Sequence, residues 1–139
     1  MNKENTAILL KDFPNLYKQY YLPMEQTCMC WGFDIKDGWF KLIYDLSLKL
    51  EQVSHTTEAT QVKEKFGGLR FYYTGATEEG AKLINKAKKM SYHICEKCGK
   101  KGVLREDIGW VRTLCLKHYK ECKEPKQLLK KWHRRKENG

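Results

Sequence analysis

The sequence predicts an α+β fold: a small helical and β-hairpin domain followed by a C-terminal treble-clef-like zinc module. Segments with apolar residues three or four positions apart flank one alternating segment that contains a Gly-Gly pair, and four metal-ligand residues form two close pairs near the C-terminus. The chain has 139 residues, 41% of them hydrophobic, which suffices for one modest core. We place the α+β domain at 1–92, the zinc module at 93–122 and a basic helix or tail at 123–139.

The net charge of +10 is concentrated near the C-terminus. Residues 93–139 carry 14 Lys and Arg against 6 Asp and Glu, whereas residues 1–92 carry 13 against 11. Such a positive segment favours nucleic acid, nucleotides or an acidic protein face, and a merely solubilising terminus is the alternative. The longest apolar run covers only residues 7–10, and no secretory signal opens the chain. We therefore expect a cytoplasmic protein without a membrane partner.

The first predicted element is a helix over about 13–22. Its apolar residues are spaced three to four apart, Pro14 is typical of a helix start, and Pro23 ends the element. A second helix is predicted over about 38–53, with Asp37 as its N-cap. Trp39 belongs to the inner face of that helix and to an aromatic group around a loop. It is either a core residue or a candidate ligand contact.

A β-hairpin is predicted over about 61–73. Gly67 and Gly68 separate two alternating runs, and a two-residue hairpin turn needs positive φ at both central residues. One face of the hairpin should carry the side chains that we call the basic face: Lys63, Lys65, Arg70 and Tyr72. Basic and aromatic side chains on paired strands can hold phosphates and stack bases.

The basic face also has a simpler interpretation. An amphipathic hairpin commonly turns one polar face to solvent, and Glu64 would partly offset the positive charge. After the hairpin, a third helix is predicted over about 77–91, because Thr77 suits an N-cap and glutamates precede lysines along the segment.

The zinc module rests on two ligand pairs, Cys95-x-x-Cys98 and Cys115-x-x-His118. Gly99 permits a tight reversal around a metal, and the second pair would share one face of a helix, as in treble-clef or zinc-ribbon modules. Three Cys and one His complete tetrahedral zinc. Cys122 lies on the same helical face as His118 and could replace it as a ligand, and His93 is a weaker candidate.

No catalytic constellation is evident. The closed zinc site leaves no position for a substrate water, and the hairpin strand over 107–114 lacks the histidine that His-Asn-His nucleases use as a base. Cys28 and Cys30 are too close in sequence for an ordinary disulfide, and we expect two buried free thiols. The sequence therefore predicts a protein that is not an enzyme.

The C-terminal segment combines an apolar stripe with a basic reverse side. Leu128, Leu129 and Trp132 would share one side of a helix, and Arg134 and Arg135 are candidate ligand contacts. The segment could dock on the zinc module or lie in a nucleic-acid groove.

The order of these motifs resembles that of small, uncharacterised phage and prophage proteins. The resemblance covers about 31–118 and is carried by the segments Trp31-Gly32-Phe33, Asp37-Gly38-Trp39, Lys63 to Tyr72, Cys95-x-x-Cys98-Gly99 and Cys115-x-x-His118. It implies an accessory protein expressed inside a bacterium, and small phage accessory proteins often counter host defences.

Two functions follow as expectations. The first is a non-enzymatic protein that binds a phosphate-rich ligand, either nucleic acid or a signalling nucleotide, through the basic face and the tail. The second is a protein–protein inhibitor of a host or bacterial defence enzyme.

Overall fold

The computed structural model describes residues 1–123 and shows a mixed α and β fold, consistent with the predicted α+β class. The helices are α1 Lys3–Asp12, α2 Phe40–Val53, α3 Glu78–Ser91 and α4 116–123, with short 3-10 helices at Lys18–Tyr21, Met29–Trp31 and Asp37–Trp39. The strands are β1 Phe33–Asp34, β2 Glu58–Lys65, β3 Gly68–Thr74, β4 Val103–Arg105 and β5 Arg112–Leu114.

The prediction of a first helix over 13–22 is wrong, because the first helix lies before that segment. Asn2 caps α1 by accepting a hydrogen bond from the Asn5 amide, and α1 ends at Asp12. A residue that precedes proline disfavours the helical conformation, and Phe13, which precedes Pro14, has φ −129° and ψ 60°. Pro14 therefore ends a helix instead of starting one. The segment that follows contains only turns and the 3-10 helix Lys18–Tyr21.

The hairpin is present, but its turn lies one residue earlier than predicted. Lys65 pairs with Gly68, so the two-residue turn is Phe66-Gly67, with φ of 54° and 81°. Gly68 instead belongs to β3, where a Cβ would overlap the ring of Tyr92. The second glycine is thus required by a packing contact and not by turn geometry.

The three-stranded sheet has the order β1-β2-β3, with β1 parallel and β3 antiparallel to β2. Helices α2 and α3 pack side by side, and α3 also contacts β3. The core combines apolar residues from the sheet, α2, α3 and the N-terminal segment, among them Leu9, Phe13, Tyr17, Trp39, Ile43, Val62 and Leu69.

The capping predictions had different outcomes. Thr77 caps α3 as predicted, because its hydroxyl accepts from the Gly80 amide at 3.0 Å. Asp37 does not cap α2: it begins a 3-10 helix, and its carboxylate accepts from the Asn2 amide at 2.8 Å. Asp37, predicted to cap α2, therefore connects the start of α1 to the segment that precedes α2.

The segment 93–122, called the C-terminal module, is hydrogen-bonded to the rest of the structure. Trp39 Nε1 donates to the Ile94 carbonyl at 2.8 Å, the Gly38 amide donates to the Glu96 carbonyl at 2.7 Å, and Thr113 Oγ1 donates to the Gly67 carbonyl at 2.7 Å. The two-stranded sheet β4-β5 thereby rests on the turn of the first hairpin.

None of the helices over residues 1–123 has the length and apolar composition that a bilayer crossing needs. The predicted basic helix or tail lies, except for Lys123, outside the described residues, as do Arg134 and Arg135.

Candidate metal centre and basic face

The first ligand pair lies in a tight turn after α3. The Cys95 amide donates to the Lys100 carbonyl at 2.7 Å, and the Gly99 amide donates to the Cys95 carbonyl at 2.9 Å. Gly99 has φ 80°, a left-handed conformation that glycine adopts without strain. This reversal turns the thiols of Cys95 and Cys98 toward one point.

The second pair lies where β5 passes into α4. Cys115 directly precedes 116–123, and its carbonyl accepts from the Tyr119 amide at 2.9 Å, as in the first turn of a helix. His118 is three residues further along and lies on the same face of the turn. The sequence spacing thus determines the relative position of these two ligands locally.

The four donor atoms form one compact cluster, all within 4.8 Å of one another. The Cys98 and Cys115 sulfurs are 3.7 Å apart, and His118 Nδ1 lies 3.2 Å from the Cys115 sulfur and 3.5 Å from the Cys95 sulfur. Tetrahedral zinc with Zn–S bonds of about 2.3 Å separates two sulfurs by about 3.8 Å. The donor set therefore fits a tetrahedral metal ion.

Hydrogen bonding and burial shift the pKa values of two of these thiols in opposite directions. The backbone amide of His118 is the main group that lowers the pKa of Cys115, to about 6, because it stabilises the thiolate. Desolvation raises the pKa of Cys98. A bound metal would favour the thiolate at both positions.

A carboxylate lies next to the outer ring nitrogen of the histidine. Glu121 Oε2 is 4.0 Å from His118 Nε2, while Nδ1 faces the sulfurs. A partner at the second ring nitrogen commonly fixes the tautomer of a metal-bound histidine. At 4.0 Å Glu121 makes no hydrogen bond with Nε2, and its exposed side chain would have to move about 1 Å closer to act as that partner.

The alternative ligands lie outside the cluster. Cys122 packs with Tyr119 against the small core of the C-terminal module, and neither Cys122 nor His93 belongs to the group of four donors. Of the other thiols, Cys28 is exposed, so its predicted burial is wrong. The Cys30 thiol is partly buried and donates to the Thr27 carbonyl at 3.3 Å.

The members of the basic face lie on the outer side of the sheet. Lys63 is directly opposite Arg70, and Lys65 is opposite Gly68. Tyr72 is 44% exposed, and Lys63 Nζ lies 6.0 Å from the centre of its ring. Among residues 1–123, no carboxylate lies within 4.0 Å of the charged groups of Lys63, Lys65 and Arg70.

The acidic neighbour of the basic face is not the one expected from the sequence. Glu64 alternates with Lys63 and Lys65 and accepts from the Gly67 amide at 3.2 Å, so its side chain turns toward the other side of the strand. Asp34, on β1, is instead the direct neighbour of Lys63.

Trp39 cannot be a ligand contact. Its side chain is fully buried in the core, and its only polar atom donates to the Ile94 carbonyl. Other aromatic residues are exposed, with Tyr21 and Trp31 both at 73%.

One polar feature has no signal in the sequence. Glu96, between the ligand residues Cys95 and Cys98, is 1% exposed, and its Oε1 has no hydrogen-bond partner among residues 1–123. Desolvation raises the pKa of Glu96, and the charge of Arg112 and the Lys36 amide act against that shift. A charged residue in a short turn is ordinarily expected on the surface, and only the docking of the C-terminal module buries this one.

Comparison of the chain with protein-family models, curated proteins and solved structures gave no significant match.

Proposed function

We propose that the C-terminal module is a treble-clef-like zinc module in which Cys95, Cys98, Cys115 and His118 hold one structural Zn²⁺. The convergence of three sulfurs and Nδ1 carries this assignment, since thiolate and imidazole donors in a tetrahedral arrangement select zinc. The small core around Ile108 and Leu114 would gain most of its stability from the metal. All four positions of the ion are filled by protein, so the zinc itself would perform no chemistry.

We further propose that the protein is not an enzyme and binds a phosphate-rich ligand, nucleic acid or a nucleotide, on the basic face. The observation that carries this proposal is the pairing of Lys63 with Arg70 across the ladder. Like charges directly opposite one another destabilise a sheet, and a bound phosphate would remove that repulsion. Tyr72 adds an exposed ring on the same face, suitable for stacking on a base.

The resemblance to phage and prophage proteins supports a biological setting for such binding. A phage accessory protein would act in the cytoplasm of the host bacterium, where sequestering a signalling nucleotide or covering nucleic acid could counter a defence system. The net charge of +10 favours either anionic partner.

The test is the affinity of the zinc-loaded chain for a fluorescent single-stranded oligonucleotide and for a nucleoside triphosphate at two salt concentrations. Replacing Lys63 and Arg70 together by Ala should weaken binding at least about tenfold and reduce its salt dependence. Lys82→Ala is the matched control, because Lys82 is an exposed lysine on α3 paired with Glu78. An unchanged affinity in the double variant, or binding that is insensitive to salt, contradicts the proposal.

A second function, inhibition of a host or bacterial defence enzyme by direct contact, is favoured by a different observation. The loop that includes the first two 3-10 helices exposes several large side chains, namely Tyr21 at 73%, Met24 at 64% and Trp31 at 73%. Large aromatic side chains of this kind commonly provide the binding energy of protein interfaces.

Capture from nuclease-treated bacterial lysate separates the two functions. A protein retained by the original chain and lost with Trp31→Ala supports the inhibitor, whereas loss of all captured material after nuclease treatment supports the phosphate-binding function.

A further inference from the structure

Two aromatic rings of the first hairpin each lie next to an ammonium group. Lys63 Nζ is 6.0 Å from the centre of the Tyr72 ring, and Lys65 Nζ is 5.5 Å from the centre of the Phe66 ring. Both rings are accessible, with Tyr72 44% and Phe66 65% exposed. A nucleotide is complementary to such a pair, because its base stacks on the ring while its phosphate contacts the cation. We call each ring with its ammonium group a ring–cation pair.

The two ring–cation pairs follow one another along β2. Lys63 and Lys65 are two residues apart on this strand, which separates their Cα atoms by ~7 Å. Successive phosphates of an extended single strand of nucleic acid have a similar separation, so neighbouring nucleotides match neighbouring pairs. A free nucleotide has one base and can stack on only one of the two rings.

The surface between the pairs has the same chemistry. Arg70 lies directly opposite Lys63 and adds a second cation at that level. Lys65 lies opposite Gly68, and the partly exposed ring of Tyr92 occupies the space that a Cβ at residue 68 would take. Asp34, exposed on β1 beside Lys63, would repel a phosphate. A bound strand would therefore follow β2 and β3 and not β1.

Phe66 holds its ring on this surface at a cost in backbone strain. Its φ of 54° is a left-handed conformation that glycine and asparagine adopt more readily. The exposed ring buries little surface, so packing does not compensate for the strain. Strained residues are often found at functional sites. Contact with a ligand therefore explains a phenylalanine at this position better than folding does.

We propose that the outer face of the hairpin binds single-stranded nucleic acid, with successive bases stacked on Tyr72 and Phe66. The phosphates contact Lys63, Lys65 and Arg70. The inference rests on the proposed phosphate-binding function and selects one class of ligand, a strand of two or more nucleotides with unpaired bases. The bases of a duplex are stacked on one another and leave the rings without a partner.

The first experiment compares ligands and needs no substitution. The zinc-loaded full chain is titrated with thymidine triphosphate, the trinucleotide TpTpT, octathymidylate and a DNA duplex. We expect TpTpT to bind at least about fivefold more tightly than the triphosphate, and octathymidylate at least about fivefold more tightly than the duplex. The triphosphate carries more charge than TpTpT, and the duplex has a higher charge density than the single strand, so charge alone predicts the opposite order.

Equal affinities within either comparison overturn the inference, and so does tighter binding of the triphosphate or the duplex.

The second experiment removes one ring without weakening the fold. Phe66→Asn relieves the left-handed strain and is expected to raise the free energy of unfolding, yet it should weaken octathymidylate binding at least about fivefold. Leu48→Ala, which removes an exposed apolar side chain from α2, is the control and should keep the affinity. A loss of binding in a more stable protein has no explanation in misfolding. Unchanged affinity in Phe66→Asn overturns the role of this ring.

The other ring is tested by a pair of variants. Tyr72→Leu should weaken octathymidylate binding at least about fivefold, whereas Tyr72→Phe, which keeps the ring, should recover most of the affinity. Equal affinities of the Leu and Phe variants overturn stacking on residue 72.

The titrations also separate this inference from the proposed function. If the triphosphate and octathymidylate bind equally, with salt sensitivity that is lost when Lys63 and Arg70 are both replaced by Ala, the phosphate site is retained and the single-strand site is overturned. Absence of binding to every ligand overturns both. A parallel titration with octauridylate identifies the source of the strand, since tighter binding of octauridylate identifies RNA and tighter binding of octathymidylate identifies DNA.

Discussion

The ring of Tyr92 occupies the space that a Cβ at residue 68 would need, so that a side chain there would have to displace the ring where β3 passes the end of α3. The contact joins the start of a strand to a residue 24 positions later in the chain.

Gly68→Ala should destabilise the protein by about 1–3 kcal/mol, because the new Cβ would overlap the Tyr92 ring. The free energy of unfolding is measured by urea denaturation. The double variant Gly68→Ala, Tyr92→Leu should recover part of the loss, since a smaller side chain leaves room for the Cβ. Equal destabilisation in both backgrounds contradicts the steric explanation.

Phe66→Asn should stabilise the protein by about 1 kcal/mol. Phe66 has φ 54° and is 65% exposed, so it adopts a strained left-handed conformation while burying little surface. The change produces Asn-Gly, the pair favoured in the two-residue turn found here. Phe66→Leu, which keeps a branched apolar side chain in that conformation, is the control, and a gain of the same size from Leu would show that backbone strain is not the cause.

Trp39→Phe should cost about 1–3 kcal/mol, because it keeps an aromatic ring in the core but removes the donor to the Ile94 carbonyl. Trp31→Phe should change the free energy of unfolding by no more than about 0.5 kcal/mol, since Trp31 is 73% exposed. Thermal unfolding of both variants is the measurement, and comparable losses would argue against the assigned hydrogen bond.

His118→Ala should abolish stoichiometric zinc binding, whereas Cys122→Ser should retain one zinc per chain. His118 Nδ1 faces the ligand sulfurs, and Cys122 is partly buried against the core of the C-terminal module. Metal analysis of the purified variants gives the number of zinc ions per chain. If Cys122→Ser lost its zinc and His118→Ala kept it, Cys122 and not His118 would be the fourth zinc ligand.

Acid should release zinc, because protons compete with the metal for the three thiolates. The Cys115 thiol has a pKa of about 6, so it stays ionised to lower pH than Cys98, whose pKa is raised. The stabilisation provided by zinc is therefore present at neutral pH and lost as the pH falls. A chromogenic chelator follows release between about pH 7.5 and 4.5, and occupancy that stays constant over this range would contradict thiolate ligation.

Local signals in the sequence determined the features that depend on neighbouring residues. The Thr77 cap and the charge order of α3 act within one turn of helix, and the two Cys-x-x-Cys and Cys-x-x-His pairs bring their donors together over three residues. The alternation around the glycine pair likewise predicted a hairpin and placed Lys63 and Arg70 on one face.

Only the tertiary structure decided features that depend on contacts between distant segments. Proline is compatible with the start of a helix and with the residues after its end, and the cap at Asn2 settled that Pro14 follows α1. Gly68 leaves room for the ring of Tyr92, and Trp39 is buried in the main core with its Nε1 donating to the Ile94 carbonyl of the C-terminal module. Glu96 is buried within that module and accepts from the Lys36 amide. Sequence patterns record which residues prefer to be buried or to turn the chain, but the partner that satisfies each preference is selected by packing across the whole fold.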